Sequence, residues 1–319
     1  MMELLDKICE EKLESINLLT CLHVALLGCE LQCCHDKIIE KIMHKFHNQI
    51  DSIRLKDLER ISLVIALFNI HTPSKIEESI CEKILQSLNG RIEEILKHSK
   101  CFTNCLHFLT LRGYYDEEML TSALDKKFLS RAVGSNLATS REIFHLDTYV
   151  KVNLMDKGYQ GNQLHEKNRK TMGKLLTHYI PERNSKYKLN ATDNILLQTK
   201  EIIDGILPYN QLKHILPNYD RSDVVICYDR KQKQPVKISP NCPENYSGVI
   251  LTRDLLLGSI ENKTDIDTVA VIVVGWNNVV RDKNRHTGLF DMKLKQLELL
   301  GHKYVLVSFG KITKNTGFL

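Results

Sequence analysis

The segment from Thr264 to Phe309 (TDIDTVAVIVVGWNNVVRDKNRHTGLFDMKLKQLELLGHKYVLVSF) constrains the fold of this chain more than any other. An apolar, β-branched run, Val269 to Val274, ends at Gly275-Trp276. A basic loop with Arg281, Lys283 and Arg285 follows. Leu289, Met292, Leu294, Leu297, Leu299 and Leu300 then recur at helical spacing and stop at Gly301, before a second apolar run from Tyr304 to Phe309. This pattern predicts strand, loop, helix and strand, with glycine where a helix C-terminus favours a left-handed residue. The segment therefore reads as part of an α/β domain.

Upstream the period changes. Residues 1 to about 130 place apolar side chains on one helix face, as in Ile38-Ile39-Ile42-Met43-Phe46 and Ile76-Ile80-Ile84-Leu85-Leu88. Three segments echo one another: Cys21 to Leu27, Ser62 to Phe68 and Cys105 to Leu111, spaced 41 and 43 positions apart. Each opens a unit that continues into a more polar amphipathic helix. A degenerate helix-pair repeat of about forty residues predicts a solenoid-like region, because neither helix of a pair buries its apolar face alone. An ordinary helical bundle with coincidental echoes is the competing reading.

Leu137 to Met155 and Leu164 to Tyr179 also read as helical, and Pro181 to Ser185 as a polar boundary. Beyond it, Ile195 to Ile206 predicts a helix. Asp223 to Tyr228, Pro235 to Ile238 and Gly248 to Leu251 predict strands. The expected divisions are helical repeats over 1–130, a further helical region over 131–190, and an α/β domain over 191–319 whose last part spans about 265–319. Its order, αβββαβ, is that of the PD-(D/E)xK nuclease core.

Charge and cysteine narrow the classes. Residues 1–207 carry equal numbers of acidic and basic side chains, so the whole excess of +5 lies from Pro208 onward. That places the polyanion signal in the α/β part. The longest uncharged apolar run, before Gly275, falls far short of the ~20 residues that span a bilayer, and the chain reads as soluble. The start, MMELLDKICEEKLES, alternates acid and base, unlike a secretory signal or a transit peptide. The 10 cysteines contain no CxxC, and Cys101-x-x-x-Cys105 with His107 lacks a second ligand pair. They read as buried free thiols in a reducing compartment.

Several blocks resemble a known family. Leu55-Lys56-Asp57-Leu58-Glu59-Arg60-Ile61, then Arg141-Glu142-Ile143-Phe144-His145-Leu146-Asp147 leading to Tyr159-Gln160-Gly161-Asn162-Gln163-Leu164, are similar to the two FAST kinase-like regions. His214 to Tyr219, Asp223-Val224-Val225 and Tyr228-Asp229 resemble the segment that feeds a C-terminal RAP domain, which the opening segment itself resembles. Together they resemble the FAST kinase domain-containing family of mitochondrial RNA regulators. The resemblance implies RNA binding in the mitochondrial matrix, RNA-granule partners, and control of the processing or stability of mitochondrial transcripts. Relative to that family the chain shows no transit peptide and fewer repeats. It also ends at Lys311 to Leu319, where a RAP domain usually continues.

Whether such a chain cuts RNA depends on carboxylates. A two-metal nuclease needs them to converge on Mg²⁺. The strand before Gly275 has Ile272 and Val274 where related cores carry acids, and methyl groups bind no hard cation. The candidate ligands left are Asp223, Asp229, Asp265 and Asp267, each of which also reads as a solvated or turn-capping strand end. For binding, Arg281, Lys283 and Arg285 in the loop and Lys293 and Lys295 on the polar side of the helix suit phosphates, and Trp276 suits a stacked base. Core packing is the rival role for Trp276, and a merely soluble surface the rival role for the loop cations. His286 reads as structural. Glycine-rich, H-R-D and D-F-G motifs are missing, so kinase chemistry is not expected. No resident cofactor is expected, with Mg²⁺ required only by a nuclease. Three readings stay open: an RNA-binding regulator with a degenerate nuclease-like core, a Mg²⁺-dependent endoribonuclease of mitochondrial precursor RNA, and a helical-repeat scaffold that binds no RNA.

Overall fold

The computed structural model describes residues 15–186, 188–281, 283 and 285–308. The readings of the first fourteen residues, of Phe309 and of the segment from Lys311 lie outside them.

The N-terminal part is helical. Helix α1 (Leu18–Leu31) starts at Asn17, whose side chain accepts from the Thr20 amide, and ends where Gln32 turns left-handed at φ 53°. Helices α2 (Asp36–His47), α3 (Leu55–Leu67) and α4 (Ile76–Asn89) follow. Next come the short α5 (Ile92–Lys97), α6 (Ser99–Leu111), and α7 (Glu117–Ala123) and α8 (Lys126–Ala132), the last two capped by Asp116 and Asp125. Helix α9 (Arg141–Tyr149) runs into a π-helical turn, Val150–Leu154. The three echoing segments fall in α1, α3 and α6, which pack side by side with α9 as one row, while α2 packs on α4 behind. One continuous buried cluster runs from Cys21 to Met172, without a separate core for residues 131–190.

Helix α10 (Glu166–Thr177) closes this part. Helix α11 (Ala191–Ile206) begins with a capping box, in which Asn190 and Asp193 each satisfy the other's backbone N–H. Among the described residues the sheet has five strands: β1 (Gln211–Lys213), β2 (Asp223–Asp229), β3 (Gln234–Val236), β4 (Ile266–Val274) and β5 (Lys303–Ser308). Strands β1 and β3 share one edge of β2 end to end. β2 pairs antiparallel with β4 (Val224 opposite Val271), and β4 pairs parallel with β5 (Val269 opposite Lys303).

The parallel step is made through helix α13 (Gly288–Leu299), as the strand-helix-strand pattern requires. Short α12 (Arg253–Leu257) precedes β4. Alternation sorts the sheet faces. Val224, Ile226, Val271 and Val273 pack toward α11; Val225, Cys227, Ile272 and Val274 pack toward Phe290, Leu294 and Leu297 of α13. With both faces covered, β2 and β4 read as continuous apolar runs.

One expectation is corrected. Gly248 to Leu251 is not a strand. Gly248 is left-handed at φ 71° and sits so close to the Arg169 carbonyl that no Cβ fits, while the Leu251 amide donates to the Ile215 carbonyl and its own carbonyl faces His302 Nε2 at 2.8 Å. Strand β1, unforeseen, supplies the edge instead. Among the described residues no helix is long and apolar enough to cross a membrane.

Candidate functional site

Because β2 and β4 are antiparallel, the start of β2 and the carboxyl end of β4 lie together. A pocket of about 150 Å³ opens there, lined by Arg141, Arg221, Ser222, Asp223, Asn277, Asn278, Thr287 and Lys293. A second hollow of about 140 Å³ shares Arg221 and Ser222 and extends toward Tyr179 and Asn190.

Asp223 forms the floor. It is 2% exposed, and Lys293, itself 5% exposed, places its ammonium 2.7 Å from both carboxylate oxygens. Burial pushes the Asp223 carboxyl above its usual range, with the Lys293 charge pulling the other way. The same ammonium stands 5.6 Å over the Tyr219 ring. Lys293 is therefore not on the polar side of its helix. The helix wheel suggested solvent there, but β2 supplies a buried anion in its place.

The other proposed carboxylates do not join Asp223. Asp229 ends β2, about 20 Å away at ~3.3 Å per strand residue. There it accepts from the amides of Lys231 and Gln232 at 2.8 and 2.9 Å, as a turn cap does. Asp265 pairs with Lys231 at 2.8 Å, and Asp267 with Lys303 at 2.7 Å. All three gather at the far end of the sheet. On the α13 face beside Asp223 the strand offers only Ile272 and Val274. The pocket's two carboxylates, Asp223 held by the Lys293 ammonium and surface Asp220 paired with Arg141, do not fit a divalent cation that prefers several oxygen donors. No metal-binding cluster of three or more acids, histidines or cysteines occurs among the described residues.

The basic loop is likewise spoken for. Lys283 and Arg285 reach Asp36, at the start of α2, at 2.6 and 3.1 Å, and the Arg281 amide donates to the Gln32 carbonyl at 2.8 Å. These contacts hold Asp36 below the usual carboxylate range despite its partial burial. Two of the three loop cations thus fasten the α/β part to the helical row. The Arg281 side chain stays exposed, and Lys295, also exposed, pairs with Asp291 at 2.9 Å. Trp276 is not a core residue: it is 61% exposed, immediately after β4. His286 packs edge-on against Phe290 at 5.0 Å, a structural role.

Sequence reasoning missed the two arginines that line the pocket beside Lys293. Arg221 sits 3.0 Å from Asp193 of the capping box, and Arg141 sits 3.2 Å from Asp220 on the surface. Buried Ser222 Oγ has no hydrogen-bond partner among the described residues. Neither arginine belongs to a charge run, so nothing local marks them; both stand in or beside blocks quoted above for their resemblance. Those blocks converge in space. Asp147 accepts from the Leu164 amide at 2.8 Å and pairs with Arg169 at 2.7 Å, and His145 Nδ1 lies 2.7 Å from the Asn218 amide nitrogen. Compared with models of known protein families and with curated protein sequences, the chain matches none.

Proposed function

We propose that this chain is an RNA-binding protein of the mitochondrial matrix that governs the processing or stability of mitochondrial transcripts by holding RNA, not by cutting it. The observation that carries the reading is the pocket at the carboxyl end of β4. Two arginines and a row of amide and hydroxyl groups surround a carboxylate already neutralised by a lysine, and an exposed tryptophan stands at the strand's end. Phosphates suit Arg141 and Arg221, and an unstacked base suits Trp276. The compartment, the RNA-granule partners and the placement in a FAST kinase-like and RAP-containing lineage rest on the resemblance of the sequence blocks.

Three antiparallel strands, a helix and a parallel strand in the order β1-β2-β4-β5 support a nuclease-like ancestry for the α/β part. They favour an endoribonuclease as the second reading, but its Mg²⁺ lacks ligands at Ile272 and Val274. Equilibrium binding of single-stranded RNA across a salt series tests the proposal. Affinity is expected to fall as salt rises, and to fall further in Arg141→Ala, Arg221→Ala and Trp276→Ala. Absence of RNA affinity at low salt leaves the scaffold reading. RNA cleavage that needs Mg²⁺ and is lost in Asp223→Asn restores the nuclease.

A further inference from the structure

A larger cavity lies where the helical row meets the α/β part. It encloses about 310 Å³, near the lower end of the ~300–1,000 Å³ of small-molecule sites. Leu63 and Leu67 of α3 and Phe108 of α6 form an apolar wall; His107, His145 and Asn218 form a polar floor. All three floor residues are more than nine-tenths buried. Buried polar atoms normally find partners. Yet His107 Nδ1 and Asn218 Oδ1 have none among the described residues. Whichever way the Asn218 amide is turned, one of its polar atoms meets His145 and the other is left over.

The floor is aromatic and uncharged. Phe108 and His107 lie 5.2 Å apart, His107 and His145 stack at 5.1 Å and 30°, and Tyr219 meets His145 edge-on at 4.9 Å. Burial lowers the basicity of both imidazoles, His145 to about 3, so both rings are neutral at physiological pH. A neutral ring with hydrogen-bonding edges suits this floor; an anion does not. The rim differs. Arg141 lines both this cavity and the pocket above Asp223, as do Tyr219, Asp220 and Leu289, so the two openings form one cleft.

We infer that this cavity is a nucleobase subsite: it receives one base turned out of a single-stranded RNA whose backbone crosses Arg141 into the neighbouring pocket. The inference rests on the RNA-binding reading and adds the place where a base is gripped. The extruded ring packs against Phe108 at the cavity wall, and its polar edge satisfies the left-over atoms of His107 and Asn218. Stacking and hydrogen bonding of this kind set recognition of unpaired RNA apart from recognition of phosphate alone.

The test compares two probes on the full chain: a short single-stranded RNA and an abasic phosphodiester of the same length. Wild type is expected to bind the RNA at least about tenfold more tightly, the scale of one stacked base. Asn218→Leu removes the polar floor at similar volume, and Leu67→Trp fills the cavity from its wall. Each is expected to cut that preference about tenfold, the share of one base, while leaving abasic binding and the stacking on Trp276 unchanged. Equal binding of the two probes by wild type overturns the base subsite and leaves the RNA-binding reading standing. Equal losses on both probes in the variants overturn it too, by making the cavity merely structural. Absence of RNA binding at low salt sinks both. If Asn218→Leu does not fold, Leu67→Trp and the wild-type probe ratio still decide.

Discussion

The ion pair between Lys293 and Asp223 gives the sharpest stability prediction. In Lys293→Met a side chain of similar length keeps the packing of α13 but leaves a carboxylate that is 2% exposed without its counter-charge. Removing one partner of a buried pair costs about 3–5 kcal/mol, since the remaining charge stays desolvated. At ~2–4 °C per kcal/mol in larger domains, the thermal midpoint should fall by roughly 6–20 °C at pH 7.5. The pH dependence follows from the sign of the shift. Burial holds the folded pKa of Asp223 above its unfolded value, so the folded state takes up a proton more readily and gains relative stability as pH falls. Without Lys293 that pKa climbs further. The deficit should therefore be largest at neutral and alkaline pH and shrink on acidification. The double variant Asp223→Asn/Lys293→Met, which buries no charge, should recover most of the loss. Thermal melts by circular dichroism between pH 5 and 8 supply the check. A deficit under about 1 kcal/mol, or one that is the same at both ends of the range, refutes the argument.

Three further outcomes are expected. Asp36→Asn breaks exposed ion pairs and should cost less than about 1 kcal/mol, yet it releases Lys283 and Arg285 and should steepen the salt dependence of RNA binding by up to about 1.4 in log–log slope; an unchanged slope means that the two cations do not reach RNA. His145, held neutral in the fold at a pKa of about 3, binds its proton less readily folded than unfolded, so stability should fall below pH 6.5, by on the order of 2 kcal/mol at pH 5. Urea midpoints at the two pH values measure this drop, and it should shrink in His145→Gln. Gly288→Ala drives a Cβ into the Ala66 carbonyl where α13 meets α3, and should destabilise by about 1–3 kcal/mol in the same assay.

Local pattern carried the fold further than the site. Helices α3, α4 and α6 follow from apolar spacing, and β4, α13 and β5 from a change of period closed by Gly301. Those signals lie within one or two turns of chain. Strand β1 is three half-buried residues, too short to show alternation, and Gly248 to Leu251 has strand composition but spends its backbone on Ile215 and His302. The site fails for a related reason. Lys293 and Lys295 look alike on a helix wheel, and only the arrival of Asp223 from 70 residues away buries one of them. Lys283 and Arg285 look like a free basic loop until Asp36, 247 and 249 positions distant, comes beside them. Charge patterning reads neighbours in sequence, whereas the sign and accessibility of a site are set by neighbours in space.

The double role of α13 has a consequence for how the chain is made. Phe290, Leu294 and Leu297 face the sheet, while Met292, with Val280 just upstream, belongs to the buried cluster of the helical row. During synthesis the row emerges first. One seam of it stays open until more than a hundred further residues have left the ribosome. An early folding product therefore shows an apolar groove along α3 and α6 that nothing yet covers, a natural hold for a chaperone. Chains halted near residue 190 should be recovered bound to one, or aggregated, whereas chains that include α13 should be released.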